Sequence, residues 1–177
     1  KFNLSKTNQR PIIMANFRVF VEKKEAFRVE AESLRRELND NLQLQIRELR
    51  YINVYDLFGF TPELLEQSRY SVFGETVTDT VVDSLNLEGK KYLAVEYLPG
   101  QFDQRADSAV QCVQFLAPSE NPVIRTATIY VLVGHLSDTD FARIKAYCIN
   151  PVDSRETDNV DKPDTLIMEY DNPADVK

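Results

Sequence analysis

The residues best suited to chemistry crowd into one stretch, Asp103-Gln-Arg-Ala-Asp-Ser108, shortly after Pro99-Gly100. A helix is expected to start here. Free N–H groups at a helix start, with a guanidinium beside them, can hold an anion. Asp103, Gln104, Arg105 and Ser108 are therefore candidate cleft or domain-interface residues, with Asp107 beside them. The same residues also satisfy a plainer role, in which Asp103 caps the helix and Arg105 is solvated. No glycine-rich phosphate loop accompanies them, since the five glycines are scattered at 59, 74, 89, 100 and 134.

Other reactive side chains are sparse. Cys112 falls near the apolar stripe of its helix and Cys148 precedes an aliphatic residue, so both are expected to be buried, inert thiols. A nucleophilic thiol needs a base or a positive environment, and the single histidine, His135, sits in a turn before the next helix. One histidine and these cysteines make no metal site. The acidic run from Asp153 to Asp164 lacks calcium-loop spacing and is expected to be solvated. No catalytic residue, cofactor-binding residue or metal ligand is therefore assigned.

The elements that carry these residues occur twice. Phe17 to Lys23 is strand-like, Phe27 to Leu42 helix-like, Ile46 to Leu57 a long strand, and Thr61-Pro62 opens a short helix. The second copy offers Tyr92 to Leu98, Asp103 to Ala117, Val123 to Val133, and a helix from Ser137. Phe27, Ala31, Leu34, Leu38 and Leu42 form one apolar stripe, with Glu32 and Arg36 expected to pair on the polar back. Ala106, Ala109, Val110, Val113 and Ala117 form the matching stripe. Thr61 and Ser137 supply capping hydroxyls, Ser137 in a near capping box with Asp140. Identities between the copies are few, but the order of elements matches, and such repeats decide architecture. The reading is α+β: two layers, with internally duplicated strand-helix-strand-helix units forming a ferredoxin-like pseudo-dimer.

Composition agrees. A chain of 177 residues with 43% hydrophobic content can bury one ordinary core. No apolar run approaches the roughly 18 residues of a membrane span, and no signal peptide is visible. A net charge of −7 repels phosphate backbones, which speaks against nucleic-acid partners. Two distant cysteines suit a reducing cytoplasm. Residues 1–15 read as a leader or foreign segment, with Met14 as a possible native start, 16–152 as the duplicated domain (halves about 17–73 and 92–149), and 153–177 as the start of a linker in a truncated parent.

Three stretches carry a resemblance. Phe20-Val-Glu-Lys-Lys24, the run from Ala94 to Gln114 and Tyr147-Cys-Ile-Asn-Pro-Val-Asp-Ser-Arg155 resemble the N-terminal region of phosphoribosylformylglycinamidine synthase (FGAM synthase) in its large single-chain bacterial form. The core of the central run, Tyr97-Leu-Pro-Gly-Gln-Phe-Asp-Gln-Arg-Ala-Asp-Ser-Ala-Val-Gln-Cys112, is the specific part. The resemblance covers roughly Asn16 to the end. It implies a PurS-like domain built as a fused dimer of the separate small subunit, which agrees with the repeat. It also implies that synthetase and glutaminase domains of the same parent chain follow as partners. The parent would be a ligase of purine biosynthesis, a cytoplasmic glutamine amidotransferase using ATP and magnesium to convert formylglycinamide ribotide to formylglycinamidine ribotide. This chain would be its assembly and cleft-forming domain, inert alone and without a cofactor of its own. The alternative is a free-standing ferredoxin-like regulatory module that binds a small anion or amino acid between its two units.

Overall fold

The computed structural model describes residues 15–158. Most of the expected leader and of the expected linker lie outside them. In the first half, β1 (Ala15–Lys23) leads through a 3-10 turn (Glu25–Phe27) to α1 (Val29–Leu42) and the long β2 (Ile46–Phe60). Next come α2 (Pro62–Ser68), continued by one π-helical turn (Arg69–Phe73), and a short β3 (Asp79–Val82). The second half runs β4 (Lys91–Tyr97), α3 (Gln104–Leu116), β5 (Val123–Gly134), α4 (Asp138–Cys148) and β6 (Ser154–Glu156). All pairings are antiparallel in one sheet of order β3-β1-β2-β5-β4-β6. The fold is α+β, and the two halves occupy matching positions on either side of the β2–β5 seam.

Each half ends in a strand that propensity did not suggest. β3 and β6 hold only four and three residues. They exist because β1 and β4 offer an open edge to a chain already led there by the preceding helix. β6 lies at the start of the stretch expected as linker, where the polar run extends the sheet, with Arg155 pairing across to Glu96 at 2.7 Å.

All four helices cover one face. Alternation along β2 sends Leu49, Tyr51, Asn53, Tyr55 and Leu57 to that side. Leu49 packs with Ala31, Leu38 and Ile144 beneath α1 and α4. Tyr55 and Leu57 pack with Leu64, Phe73, Ala109 and Val113 beneath α2, the π turn and α3. The helix stripes thus bury as expected, except that Phe27 leaves α1 for the 3-10 turn and is exposed. On the polar back of α1, Glu32 pairs with Arg35 rather than Arg36, at 2.9 Å. The three-residue spacing suits this short carboxylate arm as well as four would.

The opposite face carries Phe20, Ile52, Val54, Ala94, Ile129 and Val131, packed with Leu85 and Leu87. Those two leucines belong to residues 83–90, which join the halves. The join must carry the chain from one sheet edge past β1, β2 and β5, four strand spacings or about 19 Å. Eight residues reach about 27 Å, which leaves slack for the two leucines to dip onto the sheet. On the same face, Arg18 chelates Asp56 through Nε and an Nη at 2.5 and 2.9 Å, and Arg50 does the same to Glu22 at 2.9 and 2.6 Å.

Candidate functional site

The distinctive run spans the end of β4, a tight loop and the first turns of α3. Gly100 takes φ +84°, a left-handed value that suits glycine, and Gln101 N–H closes the turn on Leu98 O at 3.1 Å. Asp103 then caps α3, one carboxylate oxygen accepting from Ala106 N–H at 2.9 Å. Its other oxygen accepts from the Thr126 N–H at 3.1 Å and from the Thr126 hydroxyl at 2.8 Å. Asp103 is therefore a bolt between α3 and β5 as well as a cap.

The remaining candidates differ in exposure. Gln104 and Ser108 are exposed and face a shallow groove beside α3 that Tyr55, Val72 and Cys112 also line. Asp107 turns outward to accept from Gln111 at 2.8 Å. Arg105 lines the same groove and also reaches inward. It is half-buried and reaches the sheet, where Nη1 donates to Thr128 Oγ1 at 3.4 Å. Of the two roles open to Arg105, the solvated one does not describe this half-buried position, where the second residue of α3 reaches over β5.

Arg105 enters a cleft of about 240 Å³ between the two helix groups, lined by Tyr51, Thr126, Thr128, Tyr130, Asn150 and Ser154 among others. Tyr51 also lines a smaller hollow on the other side, beside β1, with Arg28, Asn53 and Asp79. Asn53 and Thr128 stand opposite each other across the seam. The helix layer is thus divided by a polar strip, and the side-chain oxygen of Asn53 is buried there without a hydrogen-bond partner among the described residues. Tyr51 and Tyr130 meet edge to face with centroids 5.3 Å apart. Burial, above all, raises the Tyr130 hydroxyl well above the ordinary tyrosine range. Burial raises Tyr55 too, while the nearby Arg105 charge pulls it back. Both phenols are neutral hydrogen-bonding groups at physiological pH.

One thiol, that of Cys148, lines the cleft. Burial, aided by the Glu37 charge, pushes the Cys148 thiol up to about 11, the inert thiol expected of it. Cys112 is a correction: it is exposed on α3, because Val113 rather than Cys112 takes the core position. His135 is exposed in the turn before α4. Among the described residues no group of His, Cys, Asp and Glu is arranged to hold a metal. Of the two carboxylates at the cleft, Glu96 is paired with Arg155, and among the described residues that of Asp153 accepts only from the neutral Asn150 amide, at 3.0 Å. These residues do not fit an ATP–magnesium complex.

Sequence reasoning selected Arg105 but not the partners that make it a site. Tyr51, Asn53, Thr128 and Tyr130 were detectable as polar residues on the inward alternation of otherwise apolar strands. No family model matches the chain, and no curated protein matches it.

Proposed function

We propose that this chain is an assembly and cleft-forming domain of a larger synthase of the FGAM synthase type. The observation that carries the reading is the symmetric strand order about the β2–β5 seam. Two copies of a strand-helix-strand-helix-strand unit joined edge to edge would give this order, and a fused pair of PurS-like subunits is such an object. Common ancestry of the halves is part of the proposal. The run that resembles the family most specifically forms the Gly100 turn and the start of α3, where it binds α3 to β5 and builds one wall of the cleft. Ligase chemistry, with its ATP, magnesium and glutamine, then falls to other domains of the parent.

The test is made on the complete reading frame that contains this chain. Its purified product is expected to convert formylglycinamide ribotide with ATP and glutamine, and the 177-residue chain alone to turn over neither ATP nor glutamine. Saturable turnover by the chain alone, or a complete product without this activity, overturns the reading. The second reading, a free-standing regulatory module, is favoured by one observation, the half-buried Arg105 facing an open cleft.

A further inference from the structure

The cleft contains a positive charge without an ion-pair partner among the described residues. Arg18, Arg28, Arg50 and Arg69 each sit in ion pairs, and Arg36 and Arg47 are exposed to water. Arg105 is half-buried, and among the described residues no carboxylate stands within ion-pair distance of it. Its one hydrogen bond, to Thr128, is long at 3.4 Å. A guanidinium presents five N–H donors in a flat fork, and one bond to Thr128 uses little of that capacity. A partly desolvated cation in that state lacks the compensation that buried charges normally find.

The same cleft carries negative charge. Glu96 is already committed to Arg155 at 2.7 Å. Asp153 has only neutral hydrogen-bond partners in the structure, the Asn150 amide among them, and no cation within ion-pair distance among the described residues. Arg105 and Asp153 thus line one small cleft together with Thr128 and Tyr130. A phosphate or other dianion would satisfy Arg105 while facing Asp153. A simple amine would do the reverse. A molecule with one carboxylate and one ammonium answers both charges at once.

We propose that this cleft binds a free α-amino acid, its carboxylate held by the Arg105 fork and the Thr128 hydroxyl and its ammonium turned to Asp153. The volume of about 240 Å³ lies below the roughly 300–1,000 Å³ of sites for drug-sized ligands and suits so small a molecule. The Tyr51 and Tyr130 rings give the ligand side chain an amphipathic wall, each with an apolar face and a hydroxyl. The site does not depend on the assembly reading: it requires only this domain, and it would serve a synthase domain or a free-standing module equally.

Calorimetric titration of the 177-residue chain tests it. The probes are the twenty amino acids, with acetate, inorganic phosphate and methylamine as partial ligands, each at up to roughly 10 mM, enough to detect a Kd near 1 mM. Saturable binding of at least one amino acid is expected, with acetate, phosphate and methylamine each much weaker. Arg105→Ala, shown to be folded by circular dichroism, should weaken binding roughly ten- to hundredfold, the usual effect of losing a charged hydrogen-bond partner. Asp153→Asn should weaken the amino acid and leave acetate unaffected. Should Arg105→Ala not fold, Arg105→Lys keeps the charge, loses the fork, and is expected to weaken binding in the same direction. No binding by any amino acid, binding unchanged in the Arg105 and Asp153 variants, or phosphate binding as well as the best amino acid would each overturn the proposal.

Discussion

Asp103→Ala should destabilise this domain far more than the loss of a helix cap. A cap replaced by alanine typically costs about 1 kcal/mol. Asp103, however, accepts three hydrogen bonds, and two come from Thr126, which is 6% exposed. The β4–β5 ladder reaches only Glu96 opposite Ala127, and Thr126 lies one residue beyond it. Asp103 therefore acts in place of a strand for that N–H. Leaving a buried N–H or hydroxyl unsatisfied costs about 1–3 kcal/mol each. Since water can reach this site from the cleft, the lower end applies, and the sum is about 3 kcal/mol. For a chain of this size that is a fall in Tm of about 6–12 °C. Urea denaturation and calorimetric melting of the variant measure both quantities. Asp103→Asn, whose single carbonyl oxygen can accept from Ala106 or from Thr126 but not from both, should recover part of the loss. Combining Asp103→Ala with Thr126→Val should show coupling of about 0.5–3 kcal/mol, because the two share a bond. A cost near 1 kcal/mol with no coupling would mean that Asp103 is only a cap.

Other expectations follow from single positions. Gly134→Ala should cost about 1–3 kcal/mol in urea, because a Cβ there would stand 2.5 Å from Gln45 O and 3.2 Å from Ile46 Cα, and backbone cannot move aside cheaply. Ellman's reagent at mildly alkaline pH should titrate Cys112 in the native chain and leave Cys148 unmodified until unfolding, since only Cys112 is exposed and burial opposes the Cys148 thiolate. Asp79 gives a pH signature. Burial alone would raise its carboxyl, but the Glu75 N–H, Lys23 at 2.9 Å and Thr78 outweigh it and leave it below the ordinary value of 3.8. A lowered folded value means the stabilisation is complete above about pH 4 and is lost as the pH falls through the folded value. Asp79→Asn should therefore flatten the acid limb of a stability–pH curve, and an unchanged limb would remove Asp79 from the account.

What could be read in advance divides along a physical line. The caps were legible because capping is local: Thr61 accepts from Leu64 N–H, and Ser137 and Asp140 complete a reciprocal box at 3.1 and 3.0 Å, as their types and spacing implied. The helix stripes were legible because their period is local too. β3 and β6 were not, since a strand of three or four residues is defined by the edge it joins rather than by its own composition. Helix phase decided the cysteines: a position one residue from a buried valine is turned about 100° away, and that single step separates exposed Cys112 from fully buried Val113. Arg105 shows the limit most clearly. In sequence it is one of several polar residues at a helix start, with no mark to distinguish it from Gln104 or Ser108. Only the packing of α3 against β5, set by Asp103 on Thr126, turns Arg105 toward Thr128 and turns its neighbours toward solvent. The bolt and the candidate ligand group are thus two residues of one device. Loosening Asp103 should therefore disturb the cleft through the orientation of Arg105, whereas removing Arg105 should leave the bolt intact.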